Sequence, residues 1–336
     1  DTSALSNVNN DDVAIVTIGR SGGESSDLPL NKLPSGYRYL QVDNNERDTI
    51  KLACSKFNKV ILIVNANNPL ELGFLEEEDY KNVKSVLWCG GVGQEGLYGL
   101  ASLISGKANP SGKLVDTYAY SFESNIAYNY YNQAAWYQPY GFYDYIEGIY
   151  VGYKWYETAY IENYWNNIQN EYGNGYDGVV QYPFGYGLSY TSFTQTLDSV
   201  SILGDKKQAT VKVTIKNDGN VAGKDVVQLY YTAPYTKGGI EKSYVNLVAF
   251  EKTEMLYPLS QSSEDKPNSQ ILSLEFDLYD MASYDAYDKN NNGQRFGNRN
   301  NNQNNGNRFD NRNHQGNNKF DNNNKFENNG NRIPMD

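Results

Sequence analysis

Two runs of β-branched and aliphatic residues, Val13-Ala14-Ile15-Val16-Thr17-Ile18 and Lys59-Val60-Ile61-Leu62-Ile63-Val64, most constrain what this chain can become. Short apolar runs with so little polar alternation read as buried strands. Each run stops at residues that turn the backbone: Gly19-Arg20-Ser21-Gly22-Gly23 after the first, Asn65-Ala66-Asn67-Asn68-Pro69 after the second. Between them, Asn45–Phe57 spaces Ile50, Ala53, Cys54 and Phe57 at three and four residues, as an amphipathic helix does, with Asn44 or Asn45 as its cap. A third strand at Ser85–Trp88 leads through Cys89-Gly90-Gly91-Val92-Gly93 into a helix over Gln94–Ile104. Strand, helix, strand, strand, helix is the order of an α/β layer with a mostly parallel sheet.

The texture then changes. Lys107–Tyr118 is a turn leading to another strand, and Ser121–Asn174 is dominated by Tyr, Asn and Trp. Within it Glu147–Tyr156 alternates enough to be extended, and Tyr182–Tyr190 is a Gly/aromatic connector. From Phe193 onward the pattern is that of half-buried antiparallel strands: Thr210–Lys216 alternates strictly, Asn217-Asp218-Gly219-Asn220 is a turn, and Asp225–Tyr231, Asn246–Lys252 and Ile271–Phe276 are further strands. Such a series reads as a β-sandwich. After Asp288 the chain turns Asn/Gly-rich, with Arg-Phe or Lys-Phe pairs at 295–296, 308–309, 319–320 and 325–326. That composition cannot bury enough apolar surface to fold alone, so 289–336 is expected to be a disordered low-complexity tail.

Composition excludes several chemistries. The one histidine, His314, lies in the tail, so no Ser-His-Asp triad or His-based metal site can be built in the folded part. Cys54 and Cys89 both sit in apolar segments without metal-ligand spacing and read as buried thiols, a disulfide being possible but not required. No cofactor is implied: the Gly90–Gly93 turn lacks the G-x-G-x-x-G order, no Walker lysine follows, and helix-on-strand packing is its expected role. The net charge of −11 argues against nucleic-acid binding by the folded part. No apolar run is long enough to span a membrane, and the polar stretch Asp1–Asp12 reads as a linker in a chain that begins as a cut piece would.

Carboxylates remain as the acid/base candidates. Glu24 follows the glycine-rich turn at the carboxyl end of the first strand, the edge of an α/β sheet where ligands bind. From residue types alone it is either a solvated loop carboxylate or a proton-transfer group at a cleft.

Six segments taken in order, GRSGGESSDLP, LWCGGVGQEG, NPSGKLVDTY, EGIYVGYKWYE, YPFGYGLSYTSF and GKDVVQLYYTAPYTKGGIEKS, resemble family 3 glycoside hydrolases of the β-glucosidase type, from about Val13 to about Tyr287. In that family a (β/α)8-barrel precedes an α/β sandwich and a fibronectin type III-like domain. The resemblance therefore implies residues 13–192 as the α/β three-layer sandwich with a mostly parallel sheet, and 193–288 as an immunoglobulin-like, fibronectin type III-like β-sandwich. It places the acid/base of the reaction on Glu24, with Arg20 and Asp27 as further candidates on the substrate loop, and the nucleophile aspartate on the barrel, which this sequence does not contain. The loop departs from the family at Ser25, where Gly is usual, and at Leu28-Pro29, where many members have Arg. The implied partners are a glycoside or oligosaccharide substrate and the barrel. The competing reading is a non-catalytic carbohydrate-binding or scaffold module tethered by the tail.

A second departure lies where the family continues with more strands and this chain runs from Asp280-Met281-Ala282-Ser283-Tyr284-Asp285 into the Asn-rich tail. A complete sandwich has about seven strands and only about five are found between Ser199 and Asp288. The sandwich is therefore expected to be incomplete, with an open edge and exposed apolar positions.

Overall fold

The computed structural model describes residues 5, 7–22, 28–29, 32–128, 146–205 and 207–283. The chain divides into one unit of Asp1–Pro234 with Lys242–Ala282 and a second of Tyr235–Glu241 with Ser283–Asp336. In the second, the described stretch 235–241 is a turn closed by the Gly239 amide donating to the Thr236 carbonyl at 2.8 Å. The tail expected to be disordered, 289–336, lies outside the described residues. Mixed sheets with few helices make up the first unit.

The two apolar runs pair as expected. Strands β1 (Val13–Gly19), β2 (Lys59–Asn65) and β3 (Val83–Trp88) form a parallel sheet in the order β1-β2-β3. Helix α1 (Asn44–Lys56) connects β1 to β2 and lays Ile50, Ala53 and Cys54 against Ile18, Val60, Leu62 and Val64. Its cap is Asp43, one residue earlier than the asparagines suggest. The Asp43 carboxylate accepts from the Glu46 amide, and the Glu46 carboxylate accepts from the Asp43 amide, both at 3.0 Å, a reciprocal capping box.

The expectation that β1 is buried needs correction. Ile18 is buried, but Val13 and Ile15 are half-exposed. β1 is an edge strand packed on one face only: α1 covers the row of Ala14, Val16 and Ile18, and the opposite row stays open. The helix after β3, α2 (Gly96–Ile104), has no fully buried residue, and Leu100, Leu103 and Ile104 are half-buried. Gly90 and Gly93 take positive φ, and a Cβ on Gly91 would come within 3.1 Å of the Asn67 side chain. The glycines turn the backbone and let it pass close to Asn67. Cys54 is a buried free thiol, whereas Cys89 is free and only half-buried.

Between sheet and sandwich, β4 (Tyr118–Ala119) pairs antiparallel with β5 (Val180–Tyr182). The stretch Glu147–Tyr156 is not extended: Gly152, at φ 58°, precedes a helix, α3 (Tyr153–Ile161). Trp155, Tyr156 and Ala159 on α3 pack with Trp165, Val179 and Val180, and the Trp155 indole donates to the Ser124 carbonyl at 2.8 Å. Aromatic packing overrides the alternation that suggested a strand.

The third portion has two antiparallel sheets. One runs β10-β7-β6, from β6 (Phe193–Leu203), β7 (Gln208–Asn217) and β10 (Ser269–Asp277); the other is β8 (Val226–Tyr231) with β9 (Asn246–Lys252). Val211, Val213, Ile215, Val227, Leu272 and Leu274 form the core between them.

The segments most specific to the family resemblance meet at the joint between these portions. Asn109 donates to the Ala222 carbonyl at 3.1 Å and accepts from Ser189 Oγ and the Tyr190 amide. Leu114 and Gly185–Tyr186 exchange backbone bonds, and a Cβ on Gly187 would stand 2.3 Å from the Gly112 carbonyl oxygen. NPSGKL and YPFGYGLSY are thus architectural here, two turns whose backbones touch where a side chain would not fit.

Asn217, at the end of β7, is 1% exposed and fully satisfied. Its Oδ1 accepts from Thr191 Oγ1 and the Gly219 amide, and its Nδ2 donates to the Val221 and Leu256 carbonyls, at 2.7–3.0 Å. One amide therefore holds the connector, the turn and the bridge at Leu256 together. Asn217→Ala is expected to lower stability by about 3 kcal/mol, because buried partners lose their bonds without access to water. Urea denaturation measures this; a loss below about 0.5 kcal/mol would contradict it.

Candidate functional site

At the carboxyl end of β1 the chain does not simply turn away. The Arg20 amide donates to the Asn65 carbonyl at 3.0 Å, extending the β1–β2 ladder by one bond. The Arg20 side chain then folds inward beneath the loop of residues 37–43. Its Nη1 and Nη2 grip Glu46 Oε1 and Oε2 at 2.5 and 2.7 Å, the parallel fork that a guanidinium and a carboxylate make best. Its remaining donors go to the carbonyls of Gly19, Tyr39 and Gln41. A guanidinium has five N–H groups, and protein acceptors take all of them. Arg20 is 10% and Glu46 25% exposed at the side chain, so the pair is largely withdrawn from water.

Above this fork lies an open cavity of about 420 Å³, lined by Gly19, Arg20, Ser21, Leu33, Ser35, Tyr37, Arg38, Tyr39, Gln41, Asp43 and Glu46. Its hydroxyls are ordered. Tyr39 OH donates to the Ser21 carbonyl at 2.7 Å and lies 2.8 Å from Ser21 Oγ, and Tyr37 OH donates to Asn44 Oδ1 at 2.7 Å. Arg38 pairs with Glu123 at 3.1 Å and lies over the Tyr128 ring. Gln41 donates to Glu71 Oε2 at 2.7 Å, which ties the loop to the next turn. The cavity wall mixes apolar surface from Leu33, Tyr37 and Tyr39 with hydroxyls and with charges that are already paired, Arg20 with Glu46 and Arg38 with Glu123.

Of the residues singled out in the sequence, Arg20 lines the cavity, while Glu24 and Asp27 lie outside the described residues, which stop at Gly22, one residue past the cavity-lining Ser21, and resume at Leu28. Sequence reasoning missed Tyr37, Arg38, Tyr39 and Glu46. Only Glu46 carries a readable signal, its place three residues after Asp43 being the capping-box spacing. Among the described residues no group of three or more His, Cys, Asp or Glu could hold a metal ion, and no helix is long and apolar enough to cross a membrane.

Two acids with raised pKa stand away from the cavity. Burial pushes the Asp116 carboxyl up. Burial also pushes Glu157 up, and the Tyr176 hydroxyl, donating to it at 2.6 Å, pulls it partly back. A raised acid is deprotonated in the unfolded chain before it is in the folded one. The unfolded state then binds fewer protons, so stability falls as pH climbs from about 4.3 through the raised value. Glu157→Gln keeps an acceptor for Tyr176 and is expected to flatten that slope. Urea midpoints between about pH 4 and 8 check this, and an unchanged slope would count against it.

A family model, Glycosyl hydrolase family 3 C-terminal domain, matches residues 1–153. Beta-glucosidase A of Butyrivibrio fibrisolvens is 32% identical over 312 residues, covering 83% of this chain and 33% of that protein. The beta-glucosidase of Ruminococcus albus is 34% identical over 278 residues, covering 82% of this chain and 24% of that protein. The crystal structure of a beta-glucosidase from Paenibacillus barengoltzii matches with a TM-score of 0.64 at 31% identity, covering 81% of this chain and 26% of that one. The chain spans a third or less of the length of these relatives. Sequence and structure together place the chain in glycosyl hydrolase family 3, in the region of the family's C-terminal domain.

Proposed function

We propose that this chain works as part of a β-glucosidase-type enzyme that hydrolyses O-glycosidic bonds with retention. It would supply Glu24 as general acid/base to a barrel domain carrying the nucleophile aspartate. The observation that carries the proposal is that Gly19, Arg20 and Ser21, at the exit of β1, line a cavity just before Glu24, in a chain about a third identical to proteins named beta-glucosidase. In this reading residues 13–192 are the family's α/β three-layer sandwich and 193–288 its fibronectin type III-like domain.

The chemistry follows from two carboxyls about 5–5.5 Å apart on opposite sides of the scissile bond. The aspartate attacks the anomeric carbon while Glu24 gives its proton to the departing oxygen. Glu24, now a carboxylate, takes a proton from the water that attacks the same carbon and frees the aspartate. Arg20, with every donor engaged, acts as a positioning residue that holds the root of the Glu24 loop. Asp27 belongs to the same loop and is proposed to shape its approach to substrate.

In the full-length enzyme, Glu24→Gln is expected to slow hydrolysis of glycosides with poor leaving groups by about 10²–10⁴-fold and to spare aryl glycosides with good ones, which need little protonation. Equal losses on both would refute the acid/base role. The chain of 336 residues by itself is expected not to turn over nitrophenyl glucosides, since no covalent intermediate can form without the nucleophile. Turnover abolished by Glu24→Ala would overturn the division of roles. A full-length enzyme indifferent to Glu24 but losing polysaccharide affinity without this chain would favour the binding-module reading.

A further inference from the structure

The expectation of exposed apolar positions in the sandwich is met at β6. Its residues Leu197, Val200 and Ile202 pair with Val213, Val211 and Ala209 of β7 and so share their inner face. The β7 residues are buried, but Leu197, Val200 and Ile202 remain 61%, 58% and 64% exposed. The reason is lateral. β9 lies against β10, and Val227 of β8 joins the core formed by Val211 and Val213, so the two-stranded sheet covers β10 and β7 and stops short of β6.

Among the described residues, no strand pairs with the outer edge of β8 or of β6. The position beyond β8 lies over β6: the Gln195 side chain, near the start of β6, donates to Asp225 Oδ2 and the Val226 carbonyl at the start of β8. The other ends also meet. Leu278 bonds the Lys207 carbonyl at the β6–β7 turn, and Tyr231 OH, at the end of β8, donates to the Asp280 carbonyl. β6 and β8 therefore run in the same direction. Edge strands are commonly guarded by inward-pointing charges or proline; the inner row of β6, Gln195, Leu197, Val200 and Ile202, has neither.

We propose that a second copy of this chain covers this face, with β6 stacked on β6 about a two-fold axis running along the strands. Among the described residues each copy has no strand over β6, and it offers one strand, β6 itself, that runs in the direction this position needs. Under that axis the partner's β6 lies beside β8 and can pair with its free edge in parallel, so the two-stranded sheet of each copy continues into the three-stranded sheet of the other. The contact is isologous and closes at two copies. Eleven residues of β6 and six of β8 enter it from each side, with the flanking turns close to the about twenty residues a side of a standard stable interface. The inference rests on the sandwich geometry and is independent of the catalytic reading.

Sedimentation velocity on the full chain, over a dilution series, is expected to show a species of twice 38.0 kDa that dissociates on dilution. Val200→Lys puts a charge at the centre of the stacked row and is expected to abolish the dimer peak. Ser201→Lys, on the outer face of the same strand, is expected to leave it. Should Val200→Lys fail to fold, Val200→Cys decides: a short bismaleimide is expected to link two copies through it, and not through Ser201→Cys or the native chain. A chain monomeric at every concentration, a dimer that survives Val200→Lys, or a folded monomer whose β6 row is shielded by its own residues 284–336 would overturn the proposal.

Discussion

The fork between Arg20 and Glu46 is the interaction on which the candidate site depends. It joins pieces that no apolar contact could hold in register: the exit of β1, the cap of α1 and the backbone of residues 39–41. Glu46 takes part twice, closing the capping box with Asp43 and neutralising Arg20, so the start of α1 and the end of β1 are fixed by one carboxylate. A buried ion pair is weak evidence for net stability, because two charges must first leave water. Its value here is positional. With all five donors of Arg20 engaged, the loop that follows has one anchored root rather than a range of exits.

The same logic recurs away from the site. Asn217 and Asn109 each satisfy several backbone groups across segments distant in sequence, Asn217 at the end of β7 and Asn109 in the loop after α2. The resemblance segments around Asn109 and Gly185–Gly187 tie the α/β portion to the sandwich through close backbone approach. These segments preserve a joint.

How much of this could be read in the sequence depended on how local the cause was. β7, β9 and α1 follow from their own periodicity, and β9 keeps its expected limits of Asn246 and Lys252. β6 was not legible because Asp198 is an extra residue in the pairing with β7. It shifts the inner row from odd to even positions and breaks the period of two at mid-strand. Glu147–Tyr156 misled because glycine and aromatics alternate there, while the helix is set by Gly152 and by packing of Trp155 and Tyr156 on distant residues. At the site, Arg20 and the cleft-forming turn were legible as a strand end. Tyr37, Arg38 and Tyr39 were not, since they sit in an aperiodic loop placed by the fork beneath it.

The most direct test of the account is a double-mutant cycle on the fork itself. Arg20→Ala, Glu46→Gln and the pair are compared by urea denaturation, glutamine being chosen because it can still close the capping box with Asp43. The account predicts a coupling energy of about 1.5 kcal/mol or more, with amide exchange around β1's exit and residues 39–41 rising equally in all three variants. Effects that add to within about 0.5 kcal/mol, with exchange at the β1 exit unchanged, would show that the fork does not hold this site together.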